Sequence, residues 1–284
     1  VGTNQLFGEE GDDTYLVDGN TDTVTEAVGE GTDTVLATGD FDLSAGSEVE
    51  NLQAVAGAGN TDLTGNEFGQ TLTGNEGDNT LSGGDGDDII DGGAGSDDIY
   101  GGTSSADDSS TDTAVYGAGA TVAWNAAADQ WEVTDGGGTD TLHGIEKVEI
   151  DGDTFWLVDQ TANGGIGTLQ AAINAASGSD TILVAGGTYG PITIDKGVTI
   201  EGSGSDSVSI DGTGSLNAVT IEGGGAGESL VLRGLTIENA IDIGVRVDPG
   251  SEYDGITLDD ATVQNNGRRG FSLEDSLGAT GAAN

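Results

Sequence analysis

A nine-residue motif occurs twice without a gap: residues 83–91 read GGDGDDIID and residues 92–100 read GGAGSDDIY. Both copies follow the pattern G-G-x-G-x-D-x-apolar-x. Glycines at the first, second and fourth places allow a sharp turn through backbone conformations that a Cβ forbids. The Asp at the sixth place offers a hard oxygen ligand to a cation, beside backbone carbonyl oxygens that the turn leaves free. The last three residues form a short strand, and we expect Ile89 or Ile99 to point inward.

The nine-residue frame extends toward the amino terminus. Further copies are residues 74–82 (GNEGDNTLS), with Asn79 at the sixth place, residues 65–73 (GNEFGQTLT), with Gln70 there, and residues 8–16 (GEEGDDTYL), with Asp13 there. Asp22-Thr23-Val24 and Asp33-Thr34-Val35 repeat the triplet Asp13-Thr14-Tyr15. A flexible linker would not place an apolar residue at every ninth position, so we predict an ordered repeat structure.

Residues 1–103 resemble the RTX, or hemolysin-type, calcium-binding repeats of secreted bacterial proteins. In that family one coil of a parallel β-roll takes two nonapeptides, so each turn stacks on the turn 18 residues away. Calcium ions lie between stacked turns. The resemblance therefore implies a calcium-binding β-roll for this part of the chain.

The same resemblance implies a set of ion sites between turns. Asn79 would face Asp97 across one ion and Gln70 would face Asp88 across another, although an amide supplies no charge. Asp88 could also pair forward with Gly101 and the region of Asp107, and Asp13 would face Asp33. We expect two to four ions. The implied ligands are Asp13, Asp33, Gln70, Gly74, Asn79, Gly83, Asp85, Asp88, Gly92, Asp97, Gly101 and Asp107.

The chain is strongly acidic, with 51 Asp and Glu against 6 Lys and Arg. Residues 1–146 contain no Lys or Arg, so without cations this part repels itself. Calcium would neutralise it, and we expect ion binding and folding to be one event. Polyanionic partners such as nucleic acid and anionic membranes are disfavoured. Adaptation to high salt is an alternative source of part of the acidity.

Cysteine is absent, so no disulfide framework is possible, and no stretch is apolar enough to predict a membrane span. No signal peptide opens the chain, and Val1 falls inside what we interpret as an ongoing repeat, which favours a fragment of a larger protein. Calcium is plentiful outside cells, so we expect an extracellular or cell-surface location. The RTX resemblance implies secretion through a type I channel, with folding delayed until external calcium is met.

We predict an all-β chain in three parts: a β-roll at residues 1–103, a short β element or linker at 104–160, and a β-helix at 161–284. In the second part, residues 139–150 (TDTLHGIEKVEI) resemble a β element that often follows RTX repeats. Its core would be Trp124, Trp131 and Trp156; stacking of one Trp on carbohydrate stays an alternative.

The third part opens with one predicted helix, Thr168–Ala176, with Thr168 as its N-cap. Short strands with apolar-Thr/Ser-apolar centres follow, and VTIEG occurs at 198–202 and again at 219–223. A recurrence of roughly 20 residues indicates stacked coils. The segment resembles the start of a right-handed parallel β-helix of the pectate-lyase-like type, whose first coil is capped by a short helix. No cap is visible after Phe271, so we expect further coils or neighbouring subunits there.

The sequence offers no catalytic constellation. His143 has no metal-spaced or nucleophilic partner, and the galacturonase-like and epimerase-like residue sets are missing. Arg233 and Arg268 near Asp242 and Asp259 could form a lyase site, but we interpret them as a solvated face with Arg–Asp pairs. We therefore lean against an enzyme.

Three functions stay open. The first is a calcium-binding structural or adhesive segment of a large secreted bacterial protein, such as a stalk, surface-layer, filament or adhesin part. The second is a polysaccharide lyase or C5-epimerase with the repeats as an auxiliary module. The third is a glycan- or ice-binding module, which the charged turn places at Glu76, Asp78, Asp85 and Asp87 disfavour. Calcium ions are the expected partners, with neighbouring subunits or an extracellular polysaccharide as further candidates.

Overall fold

A computed structural model describes residues 2–102, 110–160, 165–203 and 207–273 of the 284-residue chain. Within these ranges the chain forms 29 β-strands and one α-helix. The chain divides into two compact units. The first comprises Val1–Asp153 with Thr161–Gly165, and the second comprises Thr154–Gln160 with Ile166–Asn284.

The first unit contains short strands of two to five residues. They are β1 (Gln5–Phe7), β2 (Thr14–Val17), β3 (Thr23–Thr25), β4 (Thr34–Ala37), β5 (Phe41–Asp42), β6 (Asn51–Ala54), β7 (Leu63–Thr64), β8 (Thr71–Thr73), β9 (Thr80–Ser82), β10 (Ile89–Asp91), β11 (Asp98–Tyr100), β12 (Thr113–Tyr116), β13 (Thr121–Asn125), β14 (Gln130–Thr134), β15 (Thr139–His143) and β16 (Lys147–Ile150).

Successive strands of the first unit alternate between two parallel sheets, as in a β-roll. One sheet has the order β2-β4-β6-β8-β10-β12-β16 and the other contains β5-β7-β9-β11-β15; β1 and β3 form a separate parallel pair. Leu72 pairs with Ile90 and Leu81 with Ile99, a displacement of 18 residues in both sheets. This register confirms the predicted stacking of two nonapeptides per coil.

The core of the roll consists of two facing columns of apolar side chains, each contributed by the eighth place of the motif. Every member of both columns is at most 2% exposed. One column is Val35, Leu52, Leu72, Ile90, Ala114 and Val148, and the other is Phe41, Leu63, Leu81, Ile99 and Leu142. Ile99 therefore points inward as predicted. The prediction for Ile89 is wrong, because Ile89 is 46% exposed and its neighbour Ile90 occupies the eighth place.

The segment predicted as a separate element at 104–160 continues both sheets of the roll. β12 pairs with β10, β16 pairs with β12, and β15 pairs with β11, all in parallel. An antiparallel hairpin, β13–β14, precedes β15 and extends that sheet. Trp124 and Trp131 pack edge to face across the hairpin with ring centroids 5.3 Å apart. Trp156 instead packs against the core of the second unit, so the three tryptophans do not share one core.

The second unit contains a helix, α1 (Leu169–Ala175), and thirteen strands among its described residues. The strands are β17 (Asp153–Val158), β18 (Thr181–Val184), β19 (Gly187–Tyr189), β20 (Ile192–Ile194), β21 (Thr199–Gly202), β22 (Val208–Asp211), β23 (Asn217–Ile221), β24 (Ser229–Arg233), β25 (Leu235–Glu238), β26 (Ile243–Val247), β27 (Gly255–Asp259), β28 (Thr262–Gln264) and β29 (Arg269–Leu273).

These strands form three parallel sheets, to which each full coil contributes one strand. The sheets contain β17-β18-β21-β24-β27, β19-β22-β25-β28 and β20-β23-β26-β29. Ile237 pairs with Val263 and Val247 pairs with Leu273, so these coils are 26 residues long, not roughly 20. The two VTIEG segments do not stack on each other, because the first forms β21 and the second ends β23 in a different sheet.

Helix α1 caps the second unit as the resemblance implies. Thr168 is its N-cap: the hydroxyl oxygen accepts a hydrogen bond from the amide of Ala171 at 3.1 Å. Leu169, Ala172 and Ile173 are buried in the apolar core of the unit. The side chain of Gln170 accepts a bond from the Thr193 amide at 2.8 Å and donates to the Thr193 carbonyl at 3.1 Å, which occupies strand-edge groups of β20.

Candidate metal sites in the turns of the roll

The side chains at the sixth place of the motif are buried and stack from coil to coil on both sides of the roll. On one side, the backbone amide of Gln70 donates to Asp88 Oδ1 at 2.6 Å and that of Asp88 donates to Asp112 Oδ1 at 2.9 Å. On the other side, the amide of Asn79 donates to Asp97 Oδ1 at 2.8 Å and that of Asp97 donates to Asp140 Oδ1 at 2.9 Å. Asp88, Asp97, Asp112 and Asp140 are each at most 2% exposed.

The glycine at the first place of each regular turn leaves room for the sixth-place side chain. A Cβ on Gly92 would lie 2.5 Å from Asp97 Oδ2, and one on Gly74 would lie 2.6 Å from Asn79 Oδ1. Gly93 and Gly95, at the second and fourth places, have φ of 90° and 133°, which L side chains rarely adopt. The glycines of the motif are therefore required for two different reasons, steric at the first place and conformational at the other two.

The turn that ends in Asp97 contains a buried charge without a protein partner for one of its oxygens. Asp97 Oδ2 is buried and accepts no hydrogen bond. Burial raises the pKa of Asp97 to about 7, and burial likewise raises the pKa of Asp140. A buried pair of carboxyl groups with no basic residue nearby needs either protons or a cation.

The turns that end in Gln70 and Asn79 are closed by amides instead. Gln70 Oε1 accepts the Asn66 backbone amide at 3.1 Å while Gln70 Nε2 donates to Asn66 Oδ1 at 2.8 Å. Asn79 Oδ1 accepts the Asn75 backbone amide at 2.9 Å and its Nδ2 donates to Asn75 Oδ1 at 3.3 Å. These amide-closed turns satisfy their own polar atoms without an ion, so Gln70 and Asn79 differ from the aspartates they stack on.

The remaining predicted ligands take varied positions. Asp13 and Asp33 come together, since the Asp13 amide donates to Asp33 Oδ1 at 2.8 Å. Gly83 lies beside Asp88 Oδ2, and the carbonyl of Gly101 accepts the amide of Gly84 at 3.0 Å. Asp85 is exposed on its turn, away from the buried carboxylates. Asp107 lies outside the described residues.

Asp112 and Asp140 are buried partners that the sequence analysis missed. It paired Asp88 with the region of Asp107, but Asp112 is the residue that stacks on Asp88. Asp140 stacks on Asp97 across the inserted hairpin. One signal was present: Asp112-Thr113-Ala114 and Asp140-Thr141-Leu142 repeat the Asp-Thr-apolar triplet of residues 33–35.

The side chains considered for catalysis lie in structural contacts. Arg233 forms ion pairs with Glu201 at 3.0 Å and Asp259 at 2.9 Å, and Arg268 pairs with Asp242. These exposed pairs match the interpretation as a solvated face. The half-buried His143 stacks on Tyr100 with ring centroids 4.4 Å apart.

Comparison with known proteins identifies the repeats. The family model described as the RTX calcium-binding nonapeptide repeat matches residues 1–24 and 73–104 in four copies. No curated protein matches the chain, and no solved structure does. The likeness of the second unit to pectate-lyase-like β-helices is thus not confirmed by a relative. None of the described helical residues belongs to a segment long and apolar enough to cross a membrane.

The residues of the regular turns fit the calcium that this repeat implies. The donors are carboxylate and carbonyl oxygens, the hard ligands that calcium prefers. Asp97 Oδ2 provides a buried oxygen without a hydrogen bond, and the glycine-lined turn leaves space that a Cβ would fill.

Proposed function

We propose that the first unit is a calcium-stabilised β-roll that serves as a structural or adhesive segment of a secreted bacterial protein. The ions lie between stacked acidic turns, with Asp88 and Asp112 as ligands on one side and Asp97 and Asp140 on the other. Carbonyl oxygens of the turn glycines complete the coordination. The amide-closed turns at Gln70 and Asn79 take no ion of their own.

The observation that carries this proposal is the Asp97–Asp140 pair. Both carboxyl groups are at most 2% exposed, residues 1–146 contain no Lys or Arg, and Asp97 Oδ2 has no hydrogen-bond partner. Burial of such charges is unfavourable by several kcal/mol unless a cation compensates them. External calcium is the abundant cation with a preference for these donors, which supports secretion and folding outside the cell.

The test is a calcium titration of the full chain, followed by circular dichroism and thermal denaturation, with magnesium as the comparison ion. We expect a gain of β structure and a rise in Tm that calcium produces and magnesium does not. Full β structure and an unchanged Tm in excess chelator would contradict the proposal.

The matched variants are Asp97→Asn and Asp98→Asn. Asp97→Asn copies the neutral amide of the turn at Asn79 and should bind one calcium ion fewer in isothermal titration calorimetry. Asp98 is exposed on the same strand, so its substitution should leave the number of bound ions unchanged.

A further inference from the structure

A cluster of three carboxyl groups lies at the amino-terminal end of the roll, where the nonapeptide frame is irregular. One carboxylate oxygen from each of Asp13, Glu26 and Asp33 lies within 4.8 Å of the others. Glu26 and Asp33 are 2% and 1% exposed, and Asp13 is partly buried. The part of the chain around them has no Lys or Arg before residue 147.

Glu26 occupies the place that glycine has in the regular turns. β1 and β3 pair with Phe7 opposite Thr25, so the residues that follow them, Gly8 and Glu26, are equivalent first places of successive turns. The Gly8 amide donates to Glu26 Oε1 at 3.1 Å, which directs the Glu26 side chain back over the preceding turn. A residue that elsewhere only makes room for a ligand here contributes a carboxylate.

The other oxygen of Glu26 lacks a protein partner. Glu26 Oε2 is buried and accepts no hydrogen bond. The Glu26 backbone amide is fixed separately by Ser47 Oγ at 3.1 Å, and Ser47 Oγ donates to the Val24 carbonyl at 3.1 Å. The side chain is therefore held in place with an unsatisfied oxygen among two further carboxyl groups, an arrangement that repels itself without a cation.

We propose that Asp13, Glu26 and Asp33 form a separate binding site for a hard divalent cation, with calcium as the ion it takes. The site differs from the regular nonapeptide turns because its third carboxylate comes from the first place of the motif. It does not depend on the calcium sites proposed at Asp88 and Asp97. Oxygen-only donors in a flexible turn suit calcium better than transition metals, which prefer nitrogen or sulfur ligands.

Tyr15 provides a local reporter for this site. Its hydroxyl is buried, and a Cβ on Gly8 would meet both Tyr15 Oη and Asp13 Oδ2, so the phenol lies against the same turn as the cluster. Terbium(III) replaces calcium at oxygen sites and emits when a nearby tyrosine transfers excitation energy to it. Tyr15→Phe should therefore reduce the terbium emission that is excited through tyrosine while leaving the carboxylates in place.

The experiment combines calcium calorimetry and terbium emission on the full chain. Glu26→Gln removes the charge with little change in shape, and Glu26→Gly restores the residue of the regular motif. Glu10→Gln is the matched control, because Glu10 is exposed in the turn that contains Asp13. We expect both Glu26 variants to bind one calcium ion fewer, or to weaken that ion about tenfold or more. Glu10→Gln should bind ions as the native chain does.

An unchanged ion count and affinity in Glu26→Gly would overturn the proposal. Terbium emission that Tyr15→Phe does not reduce would overturn it independently, even if a Glu26 variant failed to fold. Loss of an ion in Asp97→Asn but not in the Glu26 variants would refute this site alone. Loss in the Glu26 variants but not in Asp97→Asn would refute the proposed regular site alone.

Discussion

Asn79 and Asp97 occupy the same place of stacked turns and differ by one amide nitrogen. The Asn79 amide group closes its turn onto Asn75, whereas Asp97 directs an oxygen without a hydrogen bond into the equivalent space. An amide offers both a donor and an acceptor, while a carboxylate offers only acceptors. The identity of one side chain therefore decides whether a turn is complete by itself or needs a cation.

This difference predicts the outcome of Asn79→Asp. The new carboxylate loses the bond to Asn75 Oδ1 and places a charge beside Asp97, so in chelator the roll should lose about 2–4 kcal/mol of stability. In calcium the variant should bind one ion more than the native chain. Denaturation with urea and calorimetry measure the two effects. Asn60→Asp, at an exposed position, is the control and should change neither; an equal loss in both variants would contradict the prediction.

A second prediction concerns the glycine at the first place. Gly92→Ala puts a Cβ 2.5 Å from Asp97 Oδ2, so the side chain or the turn must shift. We expect a loss of about 2 kcal/mol in saturating calcium and weaker ion binding at that turn. Gly117→Ala is the comparison, because no atom lies within 4 Å of a Cβ there. Equal melting temperatures for the two variants would show that the first place tolerates a side chain.

At the scale of strands and helices, local patterns predicted what repeats at short range. The nine-residue frame predicted the 18-residue register that pairs Leu81 with Ile99, and the amphipathic pattern predicted α1 with its Thr168 cap. The frame could not show that Leu142 pairs with Ile99, because a hairpin separates Asp140 from the last regular turn. In the second unit, similar strands belong to different sheets, so their spacing did not reveal the coil length.

The cap of α1 allows a test at the same scale. Thr168→Ala removes the acceptor for the Ala171 amide and should destabilise the helix by about 1 kcal/mol, while Thr168→Ser should retain most of the native stability. Hydrogen exchange of the amides in Leu169–Ala175 measures the change locally. Identical exchange in the Ala and Ser variants would mean that the hydroxyl contributes nothing to the cap.

At the scale of the whole molecule, the two units differ in what their interiors contain. Among the described residues, every buried carboxyl side chain except Asp159 belongs to the first unit. The second unit has an apolar core that extends from Val158 to Val247. Calcium-dependent stability should therefore be a property of the first unit and not of the second.

Removal of calcium tests this division. In excess chelator, hydrogen exchange measured by mass spectrometry should show loss of protection in residues 83–150, while residues 169–247 stay protected. Hydrophobic burial alone stabilises the second unit, so its protection does not require an ion. Magnesium in place of calcium is the control and should not restore the lost protection. Simultaneous loss of protection in both units would show that the ion stabilises the chain as a whole.

The amide-closed turns also have a consequence for the order in which the roll is assembled. Residues 65–82 can adopt their native turns before any ion arrives, because the side chains of Gln70 and Asn79 already have their partners. Their strands then present exposed edges in the correct register to the acidic coils that follow. We expect this segment to act as the folding nucleus, from which the roll grows toward both ends as calcium becomes available, in place of a collapse of the whole acidic chain at once.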